Sequence, residues 1–179
     1  MSKSLTGKRV ALLVTDGFEQ VELTAPKKAL EELGARTEIL SSKPGEVTGW
    51  NHTTPADTFT VDKTFDTARI DDYDAIVLPG GVVNADTIRL DEMAVELVKD
   101  AAKANKPIAV ICHGAWILAT ADLLKGKTLT SYPSLTDDLK NAGANWVDKE
   151  VVVDGKLISS RTPDDLPAFN GRLIDALVA

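Results

Sequence analysis

The sole cysteine, Cys112, stands in the turn Ile111-Cys112-His113-Gly114, after the apolar run Pro107–Ile111 and before a helical segment. A helix start offers unpaired N–H groups and a partial positive charge, and both favour a thiolate. This is the layout of a nucleophile elbow, where a sharp turn lifts the side chain into a pocket and a small neighbour, here Gly114, gives it room. A lone cysteine can equally be a small buried apolar residue. His113 is the candidate general base, provided the turn brings its ring within hydrogen-bond reach of the thiol. Otherwise it fills a strand-to-helix corner.

Two more loops end apolar runs. Pro79-Gly80-Gly81 lets the backbone approach a ligand closely. The N–H groups of Gly80, Gly81 and His113 would together form an oxyanion hole. No GxGxxG or Walker pattern makes this a phosphate loop. Thr15–Glu19 follows the first run, and Glu19 could point into the same crevice. A charged carboxylate beside a thiol raises the thiol pKa, whereas a protonated one donating to sulfur stabilises the thiolate. Without such a partner Glu19 is an exposed first-turn carboxylate. Trp50, Trp116 and Trp146 are scattered and form no base-stacking platform. Asp71-Asp72, Asp137-Asp138 and Asp164-Asp165 read as solvated faces or helix starts, not a metal site.

The elements that must position these loops alternate. Arg9–Val14, Asp74–Leu78 and Pro107–Ile111 are short apolar runs of strand length, and Arg36–Ser41 reads as the second strand. Helices are predicted over Ala25–Leu33, with Thr24 as N-cap, from Asp91 to Asn105, over Gly114–Leu124, Ser134–Asn141 and Pro163–Leu177. Thr128–Thr130 is a short strand. Residues 43–62, broken by Pro44, Gly45, Gly49 and Pro55, read as a β-hairpin or irregular insertion. Asp154-Gly155 joins Val151–Val153 and Lys156–Ser159 in a tight hairpin. Apolar strands alternating with helices imply a mostly parallel sheet covered on both faces, with its site at the strands' carboxyl ends.

The chain has 179 residues, net charge −7 and 44% hydrophobic residues, which suits one domain with its own core. The acidic balance disfavours a stable nucleic-acid partner or an anionic membrane surface. The opening residues lack the apolar core of a signal peptide, and a single cysteine cannot form an internal disulfide, so a cytoplasmic setting is expected. His52 and His113 have no zinc-like spacing. No metal and no cofactor is expected.

Five segments, Asp16–Leu23, Asp74–Gly81, Lys106–Trp116, Thr130–Asp148 and Val151–Phe169, together resemble the ThiJ/PfpI superfamily, and within it PfpI-type intracellular proteases and bacterial general stress proteins. The resemblance implies a flavodoxin-like three-layer α/β sandwich with a mostly parallel central sheet, of the class I glutamine-amidotransferase type. It implies Cys112 at the elbow, Glu19 as the acid bonded to it, and Gly80, Gly81 and His113 beside it. It also implies a homo-oligomer, a dimer first and larger assemblies besides, with an acidic residue of a neighbouring subunit orienting the histidine. Asp86 occupies that place here, one methylene shorter than the family's glutamate and in a loop one residue longer. Three functions follow. The first is a stress-response enzyme acting on a small aldehyde such as methylglyoxal, or on glycated adducts, by glyoxalase or deglycase chemistry. The second is a peptidase using Cys112, His113 and a partner's Asp86. The third is a peroxide sensor oxidised at Cys112.

Overall fold

The computed structural model describes residues 2–179. The chain opens with β1 (Arg9–Leu13), a short β2 (Phe18–Glu19) and α1 (Gln20–Glu32), then β3 (Arg36–Ser41), the hairpin β4 (Glu46–Asn51) and β5 (Thr54–Thr60), and β6 (Lys63–Thr64). β7 (Ala75–Leu78), α2 (Val82–Ile88), α3 (Glu92–Lys103) and β8 (Ile108–Ile111) form the middle. α4 (Trp116–Thr120), β9 (Thr128–Leu129), α5 (Thr136–Asn141), β10 (Asn145–Trp146), β11 (Val152–Asp154), β12 (Leu157–Ser160) and α6 (Leu166–Val178) complete it.

Seven strands form the central sheet in the order β11-β12-β8-β7-β1-β3-β6. Every pairing is parallel except β11 with β12, the hairpin turned by Gly155. Alternation along each strand divides the core. Ala11 and Leu13 of β1 join α3, α4 and α5 on one face, while Val10 and Leu12 join α1 and α6 on the other. Both faces of the sheet are therefore buried, as the unbroken apolar runs require, and the result is the three-layer sandwich expected from the sequence. No helix is long and apolar enough to cross a membrane among the described residues.

Three boundaries differ from expectation. α1 begins at Gln20, so Thr24 lies inside the helix rather than capping it, and Pro26 lies in its interior. Residues 82–88, expected as loop, form α2, which starts straight after Gly81 at φ +85°. The elbow is a 3₁₀ turn over Cys112–Ala115 before the short α4, not one helix from Gly114 to Leu124. The 43–62 stretch is a hairpin, and it pairs with β2 in a separate three-stranded sheet. Thr48 ties it to the first loop, donating its N–H to Asp16 and accepting from Gly17 N–H.

Candidate active site

β1, β7 and β8 end side by side, and their carboxyl-end loops meet around Cys112. Cys112 has φ +60°, a left-handed conformation rarely held by a side-chain-bearing residue. Such strain persists only where the surroundings enforce it, and it commonly accompanies function. Here enforcement comes from close backbone packing. A Cβ at Gly114 would drive into the carbonyls of Leu78 and Pro79, so only glycine lets the turn rest on the end of β7. The backbone N–H groups of Gly81 and His113 point at the sulfur.

The carboxyl that meets Cys112 is Glu22, not Glu19. Glu22 is fully buried, and its Oε1 accepts the Gly80 N–H at 2.9 Å. Its Oε2 is buried without a hydrogen-bond partner, and the carboxyl lies beside the Cys112 thiol. The helical register explains the exchange. Glu22, Pro26 and Leu30 are four apart and form the buried stripe of α1 once the helix starts at Gln20. Glu19 precedes that first turn, its side chain 12% exposed, and its carboxylate accepts the backbone N–H of His52 at 3.1 Å. Its carboxylate acts on the pocket through its charge, and its backbone N–H donates to the Gly80 carbonyl.

Burial lifts the Glu22 carboxyl to about 8, the Glu19 charge adds to this, and the Gly80 N–H and the thiol oppose it. Burial also pushes the Cys112 thiol up, as does a charged Glu22, while the His113 and Gly81 N–H groups pull it down. The two groups are thus coupled: one charge is tolerable in the pocket and two are not. Two backbone N–H groups reach sulfur against one for the carboxyl, and they work toward a thiolate facing neutral acid, while burial and any charge on Glu22 work against it.

Gly80 plays a different part from the one expected. Its N–H is committed to Glu22, so it is not free for an oxyanion. Its missing side chain is what matters, since a Cβ there would lie 2.7 Å from both the Cys112 Cβ and Glu22 Oε1. Gly81 and His113 keep their N–H groups directed at the reacting sulfur.

The His113 ring does reach the thiol, with Nδ1 3.3 Å from Sγ. Nε2 lies 3.3 Å from Ser134 Oγ. Tyr132 stacks on the ring at 4.5 Å between centroids and Trp116 meets it edge-on at 5.6 Å. Burial lowers the His113 pKa, so the neutral ring is favoured. Asp86 lies on α2, exposed, and within one chain His113 makes its hydrogen bonds to Cys112 and Ser134. Sequence reasoning singled out neither Glu22, Ser134 nor Asn84. Buried Asn84 accepts the Thr15 N–H at 2.7 Å and donates to the Pro79 and Gly80 carbonyls, locking two site loops together. Among the described residues no group of three or more His, Cys, Asp or Glu side chains could hold a metal.

Known proteins resemble this chain in sequence and fold. The profile of the DJ-1/PfpI family matches residues 8–176. A deglycase of Pyrococcus abyssi is 44% identical over 169 residues, covering 94% of this chain and 99% of its own. General stress protein 18 of Bacillus subtilis is 40% identical, with 92% and 94% covered. A two-domain protein of Anabaena variabilis, with DJ-1/ThiJ/PfpI-like and ferritin-like domains, superposes with a TM-score of 0.89 at 33% identity. It covers 95% of this chain, which spans about half (48%) of that longer one.

Proposed function

The chain belongs to the DJ-1/PfpI family, and on that premise we propose that it is a cysteine-dependent enzyme consuming reactive dicarbonyls or their adducts by deglycase or glyoxalase chemistry. The observation that carries this reading is the buried Glu22–Cys112 pair, one group able to attack a carbonyl and the other able to give and take its proton.

With methylglyoxal the balance is simple. The Cys112 thiolate forms a C–S bond to the aldehyde carbon, and the alkoxide takes the Glu22 proton, giving a hemithioacetal. The N–H groups of Gly81 and His113, released from sulfur as it becomes covalently bound, stabilise the developing oxyanion. Glu22, now a carboxylate, removes the proton on the hemithioacetal carbon and returns it to the adjacent carbonyl carbon, with His113 assisting proton transfer on oxygen. The product is a thioester of lactate. Water hydrolyses it, breaking the C–S bond, and the proton of the acid released returns to Glu22, restoring the thiolate and the neutral carboxyl. No external oxidant or reductant is consumed. Glycated adducts enter the same path as the dicarbonyl they release.

The test measures methylglyoxal loss and lactate formation by wild type and Cys112→Ser side by side. Turnover by wild type and none by the variant is expected; full activity in Cys112→Ser would remove the mechanism. A peptidase reading is favoured by one observation, the 3.3 Å approach of His113 Nδ1 to Cys112 Sγ. Cleavage of unfolded casein, lost in the same variant, is its test. Both readings carry a homodimer as the working unit, to be read by sedimentation velocity.

A further inference from the structure

We propose that Ser134 is a positioning residue that completes the Cys112–His113 pair within one chain. Its hydroxyl donates to His113 Nε2, fixes the neutral ring as the Nδ1–H tautomer and so directs that N–H at the Cys112 sulfur. The inference rests on Cys112 acting as the thiolate.

A thiolate only accepts, so the Nδ1 atom 3.3 Å from it must carry the hydrogen. A ring buried enough to stay neutral has one N–H to give, and Nε2 is then a bare lone pair that needs a donor. Ser134 Oγ lies 3.3 Å from it. The ring cannot turn easily to another partner, held as it is by the Tyr132 face and the Trp116 edge.

The serine itself is held from both sides. The Tyr132 N–H donates to the Cys112 carbonyl at 3.2 Å, which ties the serine's segment to the elbow. Leu135, fully buried, anchors the other side, and its N–H closes the 3₁₀ turn on the Tyr132 carbonyl at 3.0 Å. Ser134 is therefore placed by the same turn that bears on the nucleophile.

Two readouts test this. The chain has two histidines, so the ring nitrogens of His113 are assigned by comparison with His52→Gln. In ¹⁵N spectra, wild type is expected to carry its hydrogen on Nδ1, Ser134→Ala to shift toward Nε2–H, and Ser134→Thr to restore Nδ1–H. In parallel, the pH dependence of Cys112 alkylation by iodoacetamide should move upward in Ser134→Ala. The rate near neutrality should fall about fivefold, the size of one ordinary hydrogen bond, with Ser134→Thr close to wild type. Ser134 is exposed, so the alanine variant is expected to fold. An Nε2–H ring in wild type, or a ring and alkylation profile unmoved in Ser134→Ala, overturns the proposal. So does the same shift produced by Asp86→Asn in place of Ser134→Ala. Neither readout uses a dicarbonyl, so failed turnover with the expected ring shifts would count against the reaction and not against Ser134.

Discussion

In the proposed reaction Glu22 moves the protons for the thiol, and its capacity to do so comes from being buried. At neutral pH a carboxyl lifted to about 8 is mostly protonated, so it presents an O–H rather than a competing charge to the sulfur. Glu22→Gln tests that role alone. The amide keeps an oxygen for the Gly80 N–H and a donor for sulfur, but it cannot release a proton. Turnover on methylglyoxal is expected to fall about 10²–10⁴-fold, the usual worth of acid–base catalysis, while iodoacetamide still alkylates Cys112. Activity within a few-fold of wild type would mean that another group moves the proton. The contrast between the two residues shows what sequence can carry. Cys112 is legible because an apolar strand, a lone cysteine and a glycine follow in order. Glu22 is not, because its inward direction depends on a helix register that a start at Thr24 conceals. The spacing Glu22–Pro26–Leu30 was the available signal, since an acidic residue in line with an apolar stripe must be buried.

Among the elements, the strands were the most legible. β1, β7 and β8 fall on apolar runs whose two faces are both buried, and no tertiary contact needs to be known to find them. Element starts were less so, because they are set by distant partners. α2 begins where Asn84 can bridge Thr15 and Pro79, a contact between residues 69 apart for the first and invisible locally. The start of α6 has the same character. Asp164-Asp165 reads as a helix start, and Asp165 lies there, but it is 4% exposed and paired rather than solvated. Both its carboxylate oxygens take the Arg161 guanidinium, and Oδ2 also takes the Arg161 backbone N–H at 2.9 Å. This clamp closes the turn after β12, the strand beside β8 that pairs Ser160 with Ile111. Asp165→Asn keeps the shape and loses the charge-assisted bonds, and a loss of about 2 kcal/mol is expected. Urea unfolding should show a lower midpoint with an unchanged slope. A midpoint equal to wild type would mean that the pair does not hold the turn.

For the whole molecule, the buried titrating groups act in opposite directions on stability. The Glu22 pKa is raised from 4.5 to about 8 by burial. Through that window the folded chain keeps a proton that the unfolded chain has released, so stability falls as pH rises and levels off above it. His113 is lowered from 6.5 by burial, so acidification below that value protonates the unfolded chain first and also costs stability. Burial alone would raise Asp165, but its bonds to Arg161 outweigh this and hold it below 3.8, so its contribution is lost only in stronger acid. A stability maximum on the acid side of neutrality follows, and a net charge of −7 that acid would relieve acts in the same direction. Glu22→Gln removes the alkaline limb. Measured by urea unfolding between pH 5 and 8, below the ordinary thiol value of 9.0, the gap between variant and wild type should grow in the variant's favour. The growth should be on the order of 3 kcal/mol, since each tenfold difference in proton affinity between folded and unfolded chain is worth about 1.4 kcal/mol. Parallel curves would mean that Glu22 folds already ionised. The neutral acid facing Cys112 would then be absent, and the catalytic role argued for it would fall with the stability effect.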